Sequence, residues 1–223
     1  MLWTKDFLFL HYPKAAGKSL TRAFLQAWET PIRGLISPGQ VGELSDLVRD
    51  GVELRVEGSH QNAITAARIL HEQGIDIRSL KAVFVAVREP RDLIYSTYCF
   101  MRERYPKMTH KPNFVLAGTL PFDRFVVQFN VADYNNYLAL RGEPLPNLRI
   151  IRFERMAEDM HRYGEEFGFA KVELPHLNAS TRGHYREAMT PDIEAVISDK
   201  YRALYDRGFY PQPSIRLSTS ENR

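Results

Sequence analysis

Cysteine is nearly absent from this sequence, which has a single one, Cys99, among 223 residues. One cysteine excludes an internal disulfide framework and any metal site built from several thiolates. Apolar residues never run on for the ~18 positions that a membrane-spanning helix needs. Neither sign of charge is in excess, since 30 lysines and arginines are balanced by 27 acidic residues. This balance gives no reason to expect a nucleic-acid partner, so any anion-binding site has to be local.

The sequence does contain enough apolar residues for a sizeable core, because 44% of its residues are hydrophobic. Its length predicts one domain over residues 1–213, followed by a polar tail over residues 214–223. The first predicted strand begins at about residue 7, which leaves no room for a signal peptide before it. We therefore expect a cytoplasmic protein without a membrane span.

Apolar runs alternate along the chain with segments of helical periodicity, and this alternation predicts the α/β class. The predicted strands are residues 7–10, 53–57, 81–87 and 148–153. The predicted helices are residues 20–28, 40–50, 63–73, 92–104, 122–130, 132–141, 154–167 and 191–207, with Thr190 as the N-cap of the last. Proline and glycine predict loops over residues 30–39 and 106–121. The expected architecture is a three-layer, mostly parallel sheet flanked by helices.

One stretch organises the rest of the chain, because it joins a buried strand to a helix through a turn of small residues. That turn, residues 12–19, reads YPKAAGKS. Free amides at the start of a helix and the helix dipole attract anions, and two lysines add positive charge. The pattern therefore predicts a phosphate or sulfate site, although a purely structural turn remains an alternative. The phosphate loop of nucleoside triphosphatases shares the Gly-Lys-Ser ending, but that motif needs a glycine where Tyr12 stands.

Two further loops follow predicted strands and are expected at the same edge of the sheet. Lys14, His60 and Arg88 would then surround one crevice. Arg88 ends a strand and Ser96 lies in the next helix, so a guanidinium and a hydroxyl can converge on one phosphate. His60 titrates near neutral pH and can accept a proton from a hydroxyl. A surface arginine, a packing serine and a structural histidine are the alternatives.

Together these stretches resemble the sulfotransferases that use 3′-phosphoadenosine 5′-phosphosulfate (PAPS), above all the carbohydrate branch of the heparan 2-O type and its bacterial relatives. Shorter matches lie at residues 58–60, 152–154, 177–180 and 208–210. The resemblance implies a sulfotransferase fold of the phosphate-loop type. It also implies transfer of a sulfuryl group to an acceptor hydroxyl, such as one of a carbohydrate, with adenosine 3′,5′-bisphosphate (PAP) as product. Lys18 departs from the family, which usually has threonine there.

The resemblance also implies a role for each matched residue. Lys14 would stabilise the leaving group, and His60 would deprotonate the acceptor. The expected donor contacts are Lys14, Ala16, Gly17, Lys18, Ser19, Leu20, Arg88, Ser96, Arg182 and Gly183. No metal is expected, because lysine and backbone amides supply the positive field. A phosphate-loop kinase and a non-catalytic nucleotide-binding scaffold remain as alternatives. Aromatic and basic side chains over residues 95–111 predict either a solvated helix or part of an acceptor cleft.

Overall fold

A computed structural model describes residues 1–169 and 183–212 of the chain. Contacts between residues divide it into two compact units. The first unit comprises residues 1–88 and 135–179, and the second comprises residues 89–134 and 180–223. Arg182, the match at residues 177–180 and the predicted tail lie outside the described residues. Within the described ranges, no helix is both long and apolar enough to cross a membrane.

The first unit contains a six-stranded sheet in the order β4-β3-β1-β2-β5-β8 and a small two-stranded ribbon formed by β6 and β7. The strands are β1 (Leu2–Trp3), β2 (Phe7–Leu10), β3 (Ile32–Ile36), β4 (Val52–Val56), β5 (Ala82–Val87), β6 (Ala139–Leu140), β7 (Glu143–Pro144) and β8 (Leu148–Arg152). Only β1 runs against its neighbours in the larger sheet. The carboxyl ends of the other five strands therefore meet at one edge, where ligands of open α/β sheets bind.

Helices follow the strands as the alternation of patterns predicts. They are α1 (Gly17–Ala27), α2 (Ala63–His71), α3 (Pro90–Arg104), α4 (Pro112–Thr119), α5 (Phe122–Gln128), α6 (Asn135–Leu138), α7 (Met156–Phe167), α8 (Pro191–Lys200) and α9 (Arg202–Asp206). The first unit holds α1, α2, α6 and α7, and the second holds the others. The predicted class, a mostly parallel sheet flanked by helices, is confirmed.

Aromatic rings form the core on one face of the sheet. Phe84 of β5 lies 5.1 Å, between ring centroids, from Phe24 of α1 and 5.4 Å from Tyr163 of α7. Phe9, the neighbour of Phe84 on β2, lies 5.0 Å from the same Phe24 ring. Every residue of β5 is buried, so both faces of the sheet are covered at this strand. This burial explains why β5 is a continuous apolar run in the sequence.

The largest error of the sequence-based prediction is β3, which lies inside the predicted loop at residues 30–39. Proline and glycine in this stretch predict a break in the chain, but Pro31 only precedes the strand. Gly34 is needed within it, since a Cβ at that position would lie 2.4 Å from Cδ2 of Leu2 on β1. Close approach of a neighbouring side chain is a known reason for glycine inside a strand.

A second error concerns residues 106–121, which were predicted to be a long loop but contain α4. Pro112 is the first residue of that helix, where proline's missing donor costs nothing. Three predicted helices are also shorter than expected. Residues 40–50 contain only the 3₁₀ segment Gly42–Leu47, residues 132–141 contain α6 and β6, and residues 191–207 are divided into α8 and α9. Thr190 does cap α8, accepting from the amide of Ile193 at 3.4 Å.

Candidate anion-binding and catalytic site

The loop between β2 and α1 has an unusual backbone. Lys14 and Ala16 have φ angles of 62° and 57°, in the left-handed region that non-glycine residues rarely adopt. The hydrogen-bond ladder of α1 begins with Leu20, whose amide donates to the carbonyl of Ala16 at 3.0 Å. The amides of the three residues between them therefore lie outside that ladder, at the positive end of the helix dipole. Such a helix start is an anion-binding arrangement.

The first turn of α1 contains four of the ten predicted donor contacts. Gly17 and Ser19 are buried in that turn, and Leu20 is in the core. Because the Leu20 amide is used by the helix, its contact with a donor stays a prediction. Gly17 has a packing requirement as well, since a Cβ there would lie 1.6 Å from Nε2 of His11. Any other residue at position 17 would collide with that imidazole.

Lys18 is paired with a carboxylate. Its Nζ atom lies 2.6 Å from Oε1 of Glu43, in the 3₁₀ segment that follows β3. One turn further along α1, Arg22 forms a salt bridge with Asp46 of the same segment. The salt bridge of Lys18 thus helps to hold α1 against this segment. The predicted contact of Lys18 with a phosphate stays a prediction.

Arg88 directly follows β5 and is fixed by the loop. Its guanidinium donates to the carbonyl oxygen of Lys14 at 3.0 Å and lies 3.9 Å above the ring centroid of Phe153. The parallel register of β5 with β8 pairs Val87 with Arg152, which brings Phe153 beside Arg88. The side chain is almost completely buried, with 6% of its surface exposed. A buried, stacked guanidinium at a strand end is well suited to bind a phosphate group bidentately.

His60 approaches the same loop from the end of β4. Its Nδ1 atom lies 3.0 Å from the carbonyl oxygen of His11. A carbonyl can only accept, so Nδ1 carries the hydrogen and Nε2 holds the lone pair in the neutral ring. Burial lowers the pKa of His60 below 6.5, and this outweighs the opposing effect of the hydrogen bond to His11. His60 is therefore neutral at pH 7, with a basic nitrogen at Nε2.

His11 lies beneath this loop and is buried, with 5% of its surface exposed. Its ring lies 4.5 Å from the ring of His60 and 6.0 Å from that of Phe9. Burial, followed by the charge of His60, holds the pKa of His11 well below 6.5. The sequence makes His11 a weaker candidate for the base than His60, because it lies in the strand that leads into the loop and would only orient that loop. Strand alternation does place it on the same face as Phe7 and Phe9, and that pattern was the available signal.

Ser96 and Gly183, two further predicted donor contacts, belong to the second unit. Ser96 lies on α3 with 8% of its surface exposed, and a Cβ on Gly183 would be 3.9 Å from the hydroxyl of Tyr95. Whether Ser96 shares a phosphate with Arg88 stays a prediction.

A charge network stabilises the start of α3 in this second unit. Glu89 accepts from the amide of Asp92 at 2.8 Å and so caps the helix. Arg91 pairs with Glu89 and with Glu194. Burial acts to lower the pKa of Arg91, but these two carboxylates outweigh it and raise that pKa. Over residues 1–169 and 183–212, no group of three or more histidine, cysteine, aspartate or glutamate side chains is placed to hold a metal ion.

At the level of sequence, comparison with known proteins finds no match. No family model matches the chain, and no curated protein does. Among solved structures the chain is similar to mouse sulfotransferase SULT7A1 complexed with PAP, at 15% sequence identity and a TM-score of 0.48. The similarity covers 92% of this chain and 83% of that chain. A TM-score this low supports no inference about activity or about individual residues.

Proposed function

We propose that this chain is a sulfotransferase that transfers a sulfuryl group from PAPS to an acceptor hydroxyl. The observation that supports it best is the loop between β2 and α1. The carbonyl of His11 holds His60, and the carbonyl of Lys14 holds Arg88. One loop thus combines helix amides that suit an anion, a histidine with a basic nitrogen and a buried arginine. The resemblance of residues 12–19 to the PAPS loop of sulfotransferases is the second support.

In this proposal the loop binds the 5′-phosphosulfate end of the donor. The amides of Gly17, Lys18 and Ser19 supply hydrogen bonds, and the hydroxyl of Ser19 adds one more. Arg88 binds the 3′-phosphate, for which its planar guanidinium is better suited than an ammonium group. The family resemblance assigns Ser96, Arg182 and Gly183 to the same donor.

The chemical step is an in-line displacement at sulfur. The acceptor oxygen forms a bond to sulfur while the bond from sulfur to the 5′-phosphate oxygen breaks. Lys14 neutralises the negative charge that develops on that leaving oxygen. Nε2 of His60 takes the proton of the acceptor hydroxyl and becomes an imidazolium. As in phosphoryl transfer, the protein contributes mainly positioning and electrostatic stabilisation.

We propose a carbohydrate as the acceptor. The family resemblance favours this class, and so does a surface of the second unit. There the guanidinium of Arg104 lies 4.3 Å from the ring centroid of Phe100, and Nζ of Lys111 lies 5.9 Å from that of Phe114. The two rings are 6.3 Å apart. The cations beside these rings favour a sugar that carries acidic groups.

Ligand-dependent thermal unfolding tests the proposed donor. PAP without Mg²⁺ should stabilise the protein, by about 2.7 kcal/mol at one hundred times its Kd. Adenosine 5′-monophosphate, which lacks the 3′-phosphate, is the matched control and should stabilise it less. Stabilisation only by ATP with Mg²⁺ would establish a kinase instead. Binding of PAP without transfer to any acceptor in a screen of carbohydrates would leave only a nucleotide-binding scaffold.

A further inference from the structure

His11 is in contact with both halves of the proposed machinery. On one side its imidazole lies against Gly17, where a Cβ would come within 1.6 Å of Nε2 and 1.7 Å of Cδ2. On the other side its carbonyl oxygen accepts from Nδ1 of His60, and the two rings meet edge to face at 4.5 Å and 70°. One residue therefore lies between the first turn of α1 and the histidine that we propose as the base.

The ring of His11 is held on its remaining side as well. It stacks on Phe9, with centroids 6.0 Å apart and planes 16° apart. Among the described residues, Nδ1 of His11 is buried without a hydrogen-bond partner, so no hydrogen bond from that nitrogen holds the ring. Closely packed interiors transmit small displacements, because a buried ring has no free space to move into. Movement at Gly17 should therefore reach the backbone of His11.

We propose that His11 is a positioning residue that couples the donor loop to the base. Its ring, wedged between Phe9 and Gly17, fixes the position of its own carbonyl. That carbonyl holds the hydrogen on Nδ1 of His60 and leaves Nε2 unprotonated toward the acceptor. This inference rests on the proposed function, because it concerns the alignment of the same base with the same donor loop. Misplacement of a catalytic group by about 1 Å can cost about 100-fold in rate.

The tautomer of His60 is the direct readout, and ¹⁵N NMR of the imidazole measures it at pH 7.5 without nucleotide or acceptor. In the wild-type protein we expect His60 to carry its hydrogen on Nδ1. His11→Ala should redistribute the hydrogen toward Nε2, because the carbonyl is no longer fixed. His11→Phe keeps a flat ring without nitrogens and should retain most of the wild-type tautomer. If His11 had only a structural role, its substitution would change the melting temperature but leave the tautomer of His60 unaltered.

The contact between His11 and Gly17 is tested by a pair of variants. Gly17→Ala should lower the melting temperature by several degrees and disturb the tautomer, because the new methyl group collides with the imidazole. In the double variant with His11→Ala that collision is gone, so its loss of melting temperature should be smaller than the sum of the losses in the two single variants. Gly42→Ala is the matched control, since no atom lies within 4 Å of a Cβ there. It should behave as wild type.

Two results would overturn the proposal. One is a wild-type tautomer of His60 in both His11→Ala and Gly17→Ala. The other is a double variant whose loss of melting temperature equals the sum of the losses in the two single variants. Failure of the proposed function has a different signature, because none of these readouts uses a ligand. If the wild-type protein shows the Nδ1 tautomer and the contact with Gly17 but binds no PAP, the positioning role of His11 stands. The proposed sulfotransferase function is then refuted.

Discussion

At the scale of single residues, the shape of the loop between β2 and α1 depends on two left-handed residues that are not glycine. Lys14 and Ala16 each have a positive φ, a conformation that costs about 1–3 kcal/mol where the surrounding structure enforces it. The contacts around the loop show what enforces it. The carbonyl of Lys14 accepts from Arg88, and the amide of Leu20 closes the first helical turn onto Ala16. The resulting turn leaves the amides of Gly17, Lys18 and Ser19 outside the hydrogen-bond ladder of α1.

Lys14 provides the most direct test of the proposed chemistry. Lys14→Ala should lower the rate of sulfuryl transfer by about 100- to 1,000-fold, because the charge on the leaving oxygen is no longer neutralised. Affinity for PAP should fall much less. Lys18→Ala is the comparison within the same loop, and its smaller effect is expected because Lys18 is paired with Glu43. Single-turnover transfer from PAPS measures the rate, and near-normal turnover in Lys14→Ala would refute the leaving-group role.

The proposed role of His60 as the base predicts how the rate of sulfuryl transfer depends on pH. Because burial lowers its pKa, the basic form predominates above a pKa that is below 6.5. The rate should therefore rise with pH through that pKa and be level above pH 7. His60→Ala should retain PAP binding and lose about 100- to 10,000-fold in rate. His71→Ala, an exposed histidine on α2, is the control. Calorimetry with PAP and a pH–rate profile check both points, and full activity of His60→Ala would indicate a different base.

At the scale of elements, the sequence predicts the strands that are uninterrupted apolar or alternating runs, and it misses β3 and the two-residue strands β1, β6 and β7. Continuous apolar runs identify β2 and β5, because both faces of those strands are covered. β3 contains Gly34, and a local pattern does not show that this glycine makes room for Leu2 of a neighbouring strand. The turn at residues 12–19 is recognisable because its chemistry is local. The contact of His11 with Gly17 and the pairing of Lys18 with Glu43 depend on the packed fold.

Arg88 joins two elements, since it extends from the end of β5 to the loop before α1. Arg88→Ala should raise the Kd for PAP at least tenfold, because a charged hydrogen bond contributes about 1.5–3 kcal/mol. Arg88→Lys should recover little, because an ammonium neither stacks on Phe153 nor binds bidentately. Arg55→Ala, an exposed arginine on β4, should leave the Kd unchanged. Calorimetric titration of PAP checks these values, and unchanged affinity in Arg88→Ala would show that the 3′-phosphate is bound elsewhere.

At the scale of the whole molecule, stability depends on the aromatic core beneath the loop. Phe84 is fully buried and contacts rings of β2, α1 and α7. Phe84→Ala should lower the free energy of unfolding by about 3–5 kcal/mol, from lost burial and from the cavity that remains. Val56→Ala, at a position with 51% of its surface exposed, should cost far less. Urea denaturation measures both, and a cost for Phe84→Ala similar to that for Val56→Ala would contradict the described packing.

The free energy of unfolding in acid depends on the same packing. His11 and His60 are adjacent, and both are less basic in the folded protein than in the unfolded chain. The pKa values of His11 and His60 are lowered, so the unfolded chain binds more protons as the pH falls below about 6.5. Protonation of these histidines therefore has little effect on stability well above that pH, and it lowers the free energy of unfolding increasingly as the pH falls below it. The loss from one fully shifted group is about 1.4 kcal/mol per pH unit.

His11→Phe removes one of these groups while keeping a buried ring, so its free energy of unfolding should fall less between pH 7 and pH 5 than that of the wild type. Val56→Ala, which removes no titratable group at an exposed position, should keep the wild-type slope. Urea titrations at several pH values give the slopes. The decisive result is which protein loses more free energy of unfolding between pH 7 and pH 5. A buried neutral histidine must make the folded protein more sensitive to acid, so the wild type should lose more than His11→Phe. An equal slope in His11→Phe would show that His11 can accept a proton without disturbing the loop above it.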